Sequence, residues 1–156
     1  MTRTRVQRWV GDVRLVVRCA ARPVTAEFDE HVAEARAMLD RTRVVLVSIV
    51  GDGADYQFDF EQRAKLYRAG LFAKPHAILA PRIRPEHVTS LKWLGAEIRS
   101  FSPDAFEDAC DFLAIAPSER PSLRDAVANA THQLGHPALD LRSSHGVRVI
   151  AKAPSA

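Results

Sequence analysis

The chain is short of sulfur and of large aromatic rings, with two Cys, two Met, two Trp and two Tyr in 156 residues. Two cysteines cannot build a disulfide framework. Cys19 falls in an apolar strand-like run and Cys110 on the apolar stripe of a helix, so both are expected as core thiols. No apolar run approaches the ~18 residues that span a bilayer. The basic segment Met1 to Arg8 is not followed by a long apolar stretch and a small-residue cleavage site, which argues against a secretory leader. These absences predict a soluble, cytoplasmic chain. Familiar catalytic signatures are missing too. There is no G-x-S-x-G elbow, no phosphate-cradling loop ending in Lys and Ser or Thr, and no cysteine in a catalytic-thiol context. The expectation is a protein that is not an enzyme and needs no cofactor.

What is present suits a globular α/β domain: 47 % hydrophobic residues, 26 % charged, and a net charge of +3. The charge is uneven. Residues 1–22 hold Arg3, Arg5, Arg8, Arg14, Arg18 and Arg22 against Asp12 alone, while residues 23–116 hold 11 basic and 15 acidic side chains. Nucleic-acid domains gather basic residues on one coherent face or helix. The N-terminal arginines are instead expected on alternating strand faces, as solvated side chains, so no nucleic-acid partner is expected.

The hydrophobic pattern alternates between the two periods. Val6–Val10 and Val13–Cys19, separated by Gly11-Asp12, predict two early strands joined by a turn. Thr25 is the expected N-cap of a helix to about Leu39, with Phe28, Val32, Ala35 and Leu39 inward. Val44–Val50 is nearly all apolar, as a central strand covered on both faces should be. A helix follows from about Phe58 to Arg68, with Phe60, Ala64 and Tyr67 or Leu71 inward and Gly70 as its stop. His76–Ala80 reads as a strand, Glu86–Leu94 as a helix opened by Pro85, and Glu97–Phe101 as a strand near the sheet edge. Ser102 then caps a helix carrying Phe106, Ala109, Cys110 and Leu113. Beyond a linker from Pro117 to Pro121, a short helix near Ser122–Leu134 places Leu123, Val127, Ala130 and Leu134 in register. Val147–Ile150 is expected as an edge strand or as part of a loose tail. This predicts a domain over residues 1–116, with a largely parallel sheet flanked by helices, and a C-terminal extension over 117–156.

Candidate chemistry is looked for beyond the central strand, where doubly wound sheets bind ligands. There Gly51-Asp52-Gly53-Ala54-Asp55 lacks the third glycine of a dinucleotide fingerprint. Asp52, Asp55 and Asp59 could offer oxygens to a hard cation, but Gly and Asp suit a plain turn equally well. His132 and His136 have the i, i+4 spacing of paired ligands, yet Gly135 and Pro137 break the helix pitch, so no metal site is expected. His76 and His87 are expected in structural or solvent-facing roles. Arg82 and Arg84, beside the helix that Pro85 opens, form an anion-site candidate. Trp93 is either packing or a binding anchor.

The succession of Val44–Val50, Ala77-Ile78-Leu79-Ala80, the Val88–Leu94 helix, Gly95-Ala96-Glu97-Ile98-Arg99-Ser100-Phe101 and Asp104-Ala105-Phe106-Glu107-Asp108-Ala109 resembles STAS domains. These include the anti-sigma-factor antagonists and the bacterial relatives compared with lipid-carrying CRAL-TRIO domains. The resemblance covers about residues 5–115. It implies a sheet of four to five strands with about four helices, plus the C-terminal helical extension. It also implies a non-catalytic regulatory or protein-interaction module, binding another protein near Gly51, Asp52, Gly53, Asp55 and Asp59, or alternatively a carrier of a small apolar or lipid-like ligand. The antagonists carry a phosphorylatable Ser or Thr after the central strand. Here no Ser or Thr occurs between Ile49 and Val88, so the usual phospho-switch is not expected.

Overall fold

In a computed structural model, which describes residues 3–19, 21–51, 58–83, 85–136, 139–140 and 148–149, strands and helices alternate as their periodicities require. Strands β1 (Arg5–Val10) and β2 (Val13–Cys19) form an antiparallel hairpin, turned by Gly11 at φ +59°. Helix α1 (Thr25–Ala37) leads to β3 (Val44–Val50), α2 (Phe60–Arg68) to β4 (His76–Leu79), and α3 (Pro85–Lys92) to β5 (Ile98–Phe101). The five strands lie in the order β1-β2-β3-β4-β5, and every pair from β2 onward is parallel. This is the α/β architecture the pattern implies.

Crossovers of one hand that each step to the next strand place their helices on one side of a sheet. Accordingly Phe28, Ala35, Leu66, Ala69 and Leu91 pack with Ile49, Ile78 and Ile98 on one face. The opposite face is covered by the last two helices, α4 (Phe106–Phe112) and α5 (Arg120–Gln133). There Phe106, Cys110, Leu123 and Val127 pack against Leu15, Val17, Leu46 and Leu79. Both helical layers thus exclude water from an almost wholly apolar β3, whose full burial is worth ~1.5–3 kcal/mol per large side chain. Arg43 ties the hairpin turn to the end of α4, donating from Nε to Asp12 at 2.9 Å and from Nη1 to the Leu113 carbonyl at 2.9 Å.

Local details depart from expectation for identifiable reasons. Thr25 is the first residue of α1 rather than its cap; Val24 occupies the cap position, and no side chain caps this end. The helix ends at Ala37, and a 3-10 turn, Leu39–Arg41, carries the chain to β3. Ser102 directs its hydroxyl to the Asp104 carboxylate and caps no helix backbone. Arg148–Val149 does pair as a strand (β7), but antiparallel to Leu139–Asp140 (β6) in a separate two-stranded sheet. Cys110 is buried and Cys19 half-buried, and both are free thiols. Burial pushes the Cys110 thiol up to about 11, which keeps it protonated and inert.

The largest correction concerns α2. Phe60 is not inward but 80 % exposed, and of the alternatives Tyr67 and Leu71 it is Leu71 that is buried while Tyr67 is 60 % exposed; Gln62 and Leu66 are buried in the helix itself. A capping box sets this rotation. The Asp59 carboxylate accepts from Gln62 N at 2.8 Å, and Gln62 Oε1 accepts from Asp59 N at 3.0 Å. Pinning Gln62 against the core swings Phe60 outward. Gly70, at φ +73°, ends the helix as expected.

Candidate functional site

The side chains with the most unusual surroundings lie between the sheet and α1–α3. In the β1–β2 register Arg5 opposes Arg18 and Trp9 opposes Arg14, so Arg5, Arg14 and Arg18 share one face, the one covered by α1–α3. None is more than 7 % exposed. The expectation of solvated arginines on alternating faces is therefore wrong for these three. Residues 5 and 18 fall on the same face because an antiparallel two-residue hairpin matches odd positions of one strand to even positions of the other.

Burying a guanidinium costs several kcal/mol unless its charge is met. Part of that cost is offset by aromatic faces: Arg5 sits 5.2 Å from the Phe28 ring centroid and Arg18 5.1 Å from that of Phe58. Arg14 donates from Nε to Gln7 Oε1 at 2.7 Å. Desolvation, reinforced by the like charge of Arg5 and opposed by Glu34, lowers its pKa to about 10, so it stays charged at neutral pH.

Two histidines complete this lining. His76 extends the ladder row that runs from Trp9 through Arg14 and Val45. Its Nδ1 lies 2.7 Å from the Lys74 carbonyl, which makes that nitrogen the donor. His87, in the first turn of α3, is 2 % exposed, and neither ring nitrogen has a hydrogen-bond partner among the described residues. Phe58 packs on it at 5.4 Å between centroids. Burial, aided by Arg14 for His76 and by Arg18 and Arg63 for His87, lowers both pKa values to about 4, so both rings are neutral at pH 7. His76 fits its expected structural role. His87 does not, because a buried imidazole with both nitrogens unsatisfied is costly for structure alone. These five side chains border a partly open cavity of about 50 Å³, otherwise lined by apolar residues, and no Asp or Glu is among its described lining residues.

A second feature lies on the outside of α2 and α3. Phe60, Tyr67 and Trp93 line one open groove of about 510 Å³, whose charged residues among those described are Arg63 and Arg68. Trp93 is 85 % exposed, so it is not core packing.

Of the residues singled out from sequence, Asp52, Gly53, Asp55 and Arg84 lie outside the described residues. Asp59 spends its carboxylate on the α2 cap and on Arg22. Gly51 is exposed at φ +76°, with His136 against it. Arg82 is exposed beside an open depression at the ends of β4 and β5. Because strand order does not reverse at β3, the crevice that motivates a search there in doubly wound sheets has no counterpart. Among the described residues no group of three or more His, Cys, Asp or Glu could hold a metal, and no helix is long and apolar enough to cross a membrane.

The fold and these two features define an α/β domain wound in one direction, with a small arginine-bordered cavity and an open aromatic groove. Comparisons with protein-family models, with curated proteins and with solved structures return no match.

Proposed function

We propose that this chain is a non-catalytic protein-interaction module of STAS-like, regulatory type, and that its docking face is the α2–α3 groove. One observation carries the reading: Phe60, Tyr67 and Trp93, the three most exposed large hydrophobic side chains among the described residues, line one groove. Grouped exposure of this kind marks binding surfaces, and Trp, Tyr and Arg are the residues that dominate interface energetics. Because the charged lining residues among those described are both arginines, the occupant is an acidic, amphipathic helix of a partner protein, its apolar stripe on the aromatic trio. The mixed five-stranded architecture supports the STAS-like part of the reading. Ser48, the hydroxyl nearest the end of the central strand, is buried, which is consistent with a module that works without a phospho-switch. The alternative, a carrier of a small apolar or lipid-like ligand, gains no support from a cavity of only about 50 Å³ that three arginines border alongside its apolar residues.

Two synthetic helical peptides with the same leucine stripe, one flanked by Glu and one by Lys, test the reading. Fluorescence anisotropy is expected to show binding of the Glu peptide alone, weakened at least tenfold by Trp93→Ala. Failure of both peptides, equal binding of both, or a dimer in solution that Trp93→Ala converts to monomer overturns it.

A further inference from the structure

We infer that Asp59 is a positioning residue of the α2–α3 groove: its capping box with Gln62 holds the aromatic stripe of α2 towards the groove, so Asp59 sets the groove's affinity through Phe60 without touching the occupant. The inference rests on the docking reading above. Helix α2 carries two stripes of identical spacing. Phe60, Ala64 and Tyr67 (i, i+4, i+7) line the groove, while Gln62, Leu66 and Ala69 are buried on the other side. At 3.6 residues per turn the two stripes lie about 200° apart, so one faces the core only if the other faces away. The stripe with two aromatic rings is the one in solvent, and the buried stripe opens with an amide. Hydrophobicity alone would turn the helix the other way.

Local bonds oppose that turn. The two carboxylate oxygens of Asp59 have separate tasks: Oδ1 accepts from Gln62 N at 2.8 Å, and Oδ2 pairs with Arg22. Gln62 Oε1 accepts from Asp59 N, and Arg63 N donates to the Asp59 carbonyl at 3.0 Å. Immediately before the cap, Phe58 is seated against Phe28 of α1 at 6.0 Å and His87 of α3 at 5.4 Å between centroids. Phe58 thus meets the helical layer and Phe60 meets solvent, with Asp59 as the pivot between them. A buried amide at position 62, where an apolar side chain would pack without a desolvation penalty, fits a role in fixing orientation. The body of α2 does not depend on the box: Leu66 and Ala69 sit in the core cluster, and Lys65 pairs with Asp29 of α1 at 2.7 Å. Losing the box therefore frees the first turn, and the Phe60 ring, no longer held 80 % exposed, falls back onto neighbouring apolar surface.

The test uses the full chain and the Glu-flanked helical peptide. Asp59→Ala is expected to weaken peptide binding ~3- to 30-fold, the range that loss of a helix cap converts to. Asp59→Asn, which keeps the acceptor for Gln62 N and loses only the charge towards Arg22, should bind within twofold of wild type. In a Phe60→Ala background Asp59→Ala should cost nothing further, because the residue through which it acts is gone. Should Asp59→Ala not fold, Gln62→Met, which keeps the buried volume and deletes the acceptor for Asp59 N, takes its place with at least a twofold weakening expected. Undiminished affinity in the folded variant, or an equal loss with and without the Phe60 ring, overturns the inference. A second readout does not need the peptide. With a soluble paramagnetic agent, the Phe60 ring protons are expected to relax strongly in wild type and Asp59→Asn, and at most half as strongly in Asp59→Ala. Equal relaxation in all three overturns the inference. The expected relaxation pattern in a wild type that does not bind the peptide would instead overturn the docking reading and leave the positioning of Phe60 supported.

Discussion

Arg5 and Arg18 stand directly opposite each other across the antiparallel β1–β2 pair, and both side chains are drawn into the interior. Like charges in that position repel, so each must be held by something else. Each guanidinium lies over an aromatic ring delivered by the helical layer: Phe28 of α1 for Arg5, and Phe58 just before α2 for Arg18.

This arrangement predicts energetic coupling between Arg5 and Phe28. In a double-mutant cycle of Arg5→Met and Phe28→Leu, measured by urea unfolding, a coupling of ~1–2 kcal/mol is expected, as for a desolvated cation over a ring. Additive effects of the two substitutions would show that the ring merely packs beside the charge.

Stability should depend on pH through the buried histidines. His76 and His87 have folded-state pKa values lowered to about 4, against about 6.5 in an unfolded chain. Between those values the unfolded state binds more protons than the folded one, so stability rises with pH. Above about pH 6.5 the contribution is complete. It is lost progressively as pH falls from 6.5 towards 4, by a few kcal/mol for the pair. Equilibrium unfolding at pH 7.5, 6, 5 and 4.5 checks this, and His87→Gln should flatten the curve because it removes one titrating ring. A stability that is level from pH 7 to 4.5 would contradict the burial of both rings.

Much of the architecture is legible in the sequence because its signals are local. Val44–Val50 reads as a covered central strand since nearly every residue in it is apolar, and the Phe106, Ala109, Cys110 stripe is one helical face. The arginine-bordered cavity is not legible by the same means. Arg5, Arg14 and Arg18 are ordinary surface residues until the hairpin register places them on one face, and that register becomes meaningful only when three helices cover it. The signal was available in part: Arg14, Val16 and Arg18 alternate with apolar Leu15 and Val17, so one face of β2 had to carry both arginines. The rotation of α2 was missed for a different reason. Its hydrophobic residues are divided between two faces, and only the Asp59–Gln62 capping box decides which of them meets the core.

That rotation makes a sharp prediction for paired alanine substitutions. Leu66→Ala should cost ~2–5 kcal/mol, because Leu66 is buried between α2 and the sheet. Phe60→Ala, although it deletes a larger side chain, should change stability by less than ~0.5 kcal/mol, because Phe60 is largely in solvent. Thermal unfolding of the two variants distinguishes the faces, and a larger loss for Phe60→Ala would reverse the assignment of the α2 groove as a surface.

Helix α5 is predicted to be indispensable to the sheet rather than an ornament on it. Leu123, Val127 and Ala130 are buried in the same cluster as Leu15, Val17 and Phe106, and α5 packs against both β1 and β2. Arg120 fastens it to α4 through Glu107 at 2.6 Å and Asp111 at 2.8 Å, and Arg124 reaches Glu107 as well. These exposed carboxylates contribute little individually, so the apolar contacts decide the outcome. Leu123→Ala together with Val127→Ala should remove ~4 kcal/mol or more, a large share of the 5–15 kcal/mol typical of a domain. The expected readout is a steep fall in Tm with increased binding of a hydrophobic dye, as the β1–β2 face loses its cover. Glu107→Gln, by contrast, should shift Tm by no more than a degree or two. A double variant as stable as wild type would mean that the sheet folds without α5.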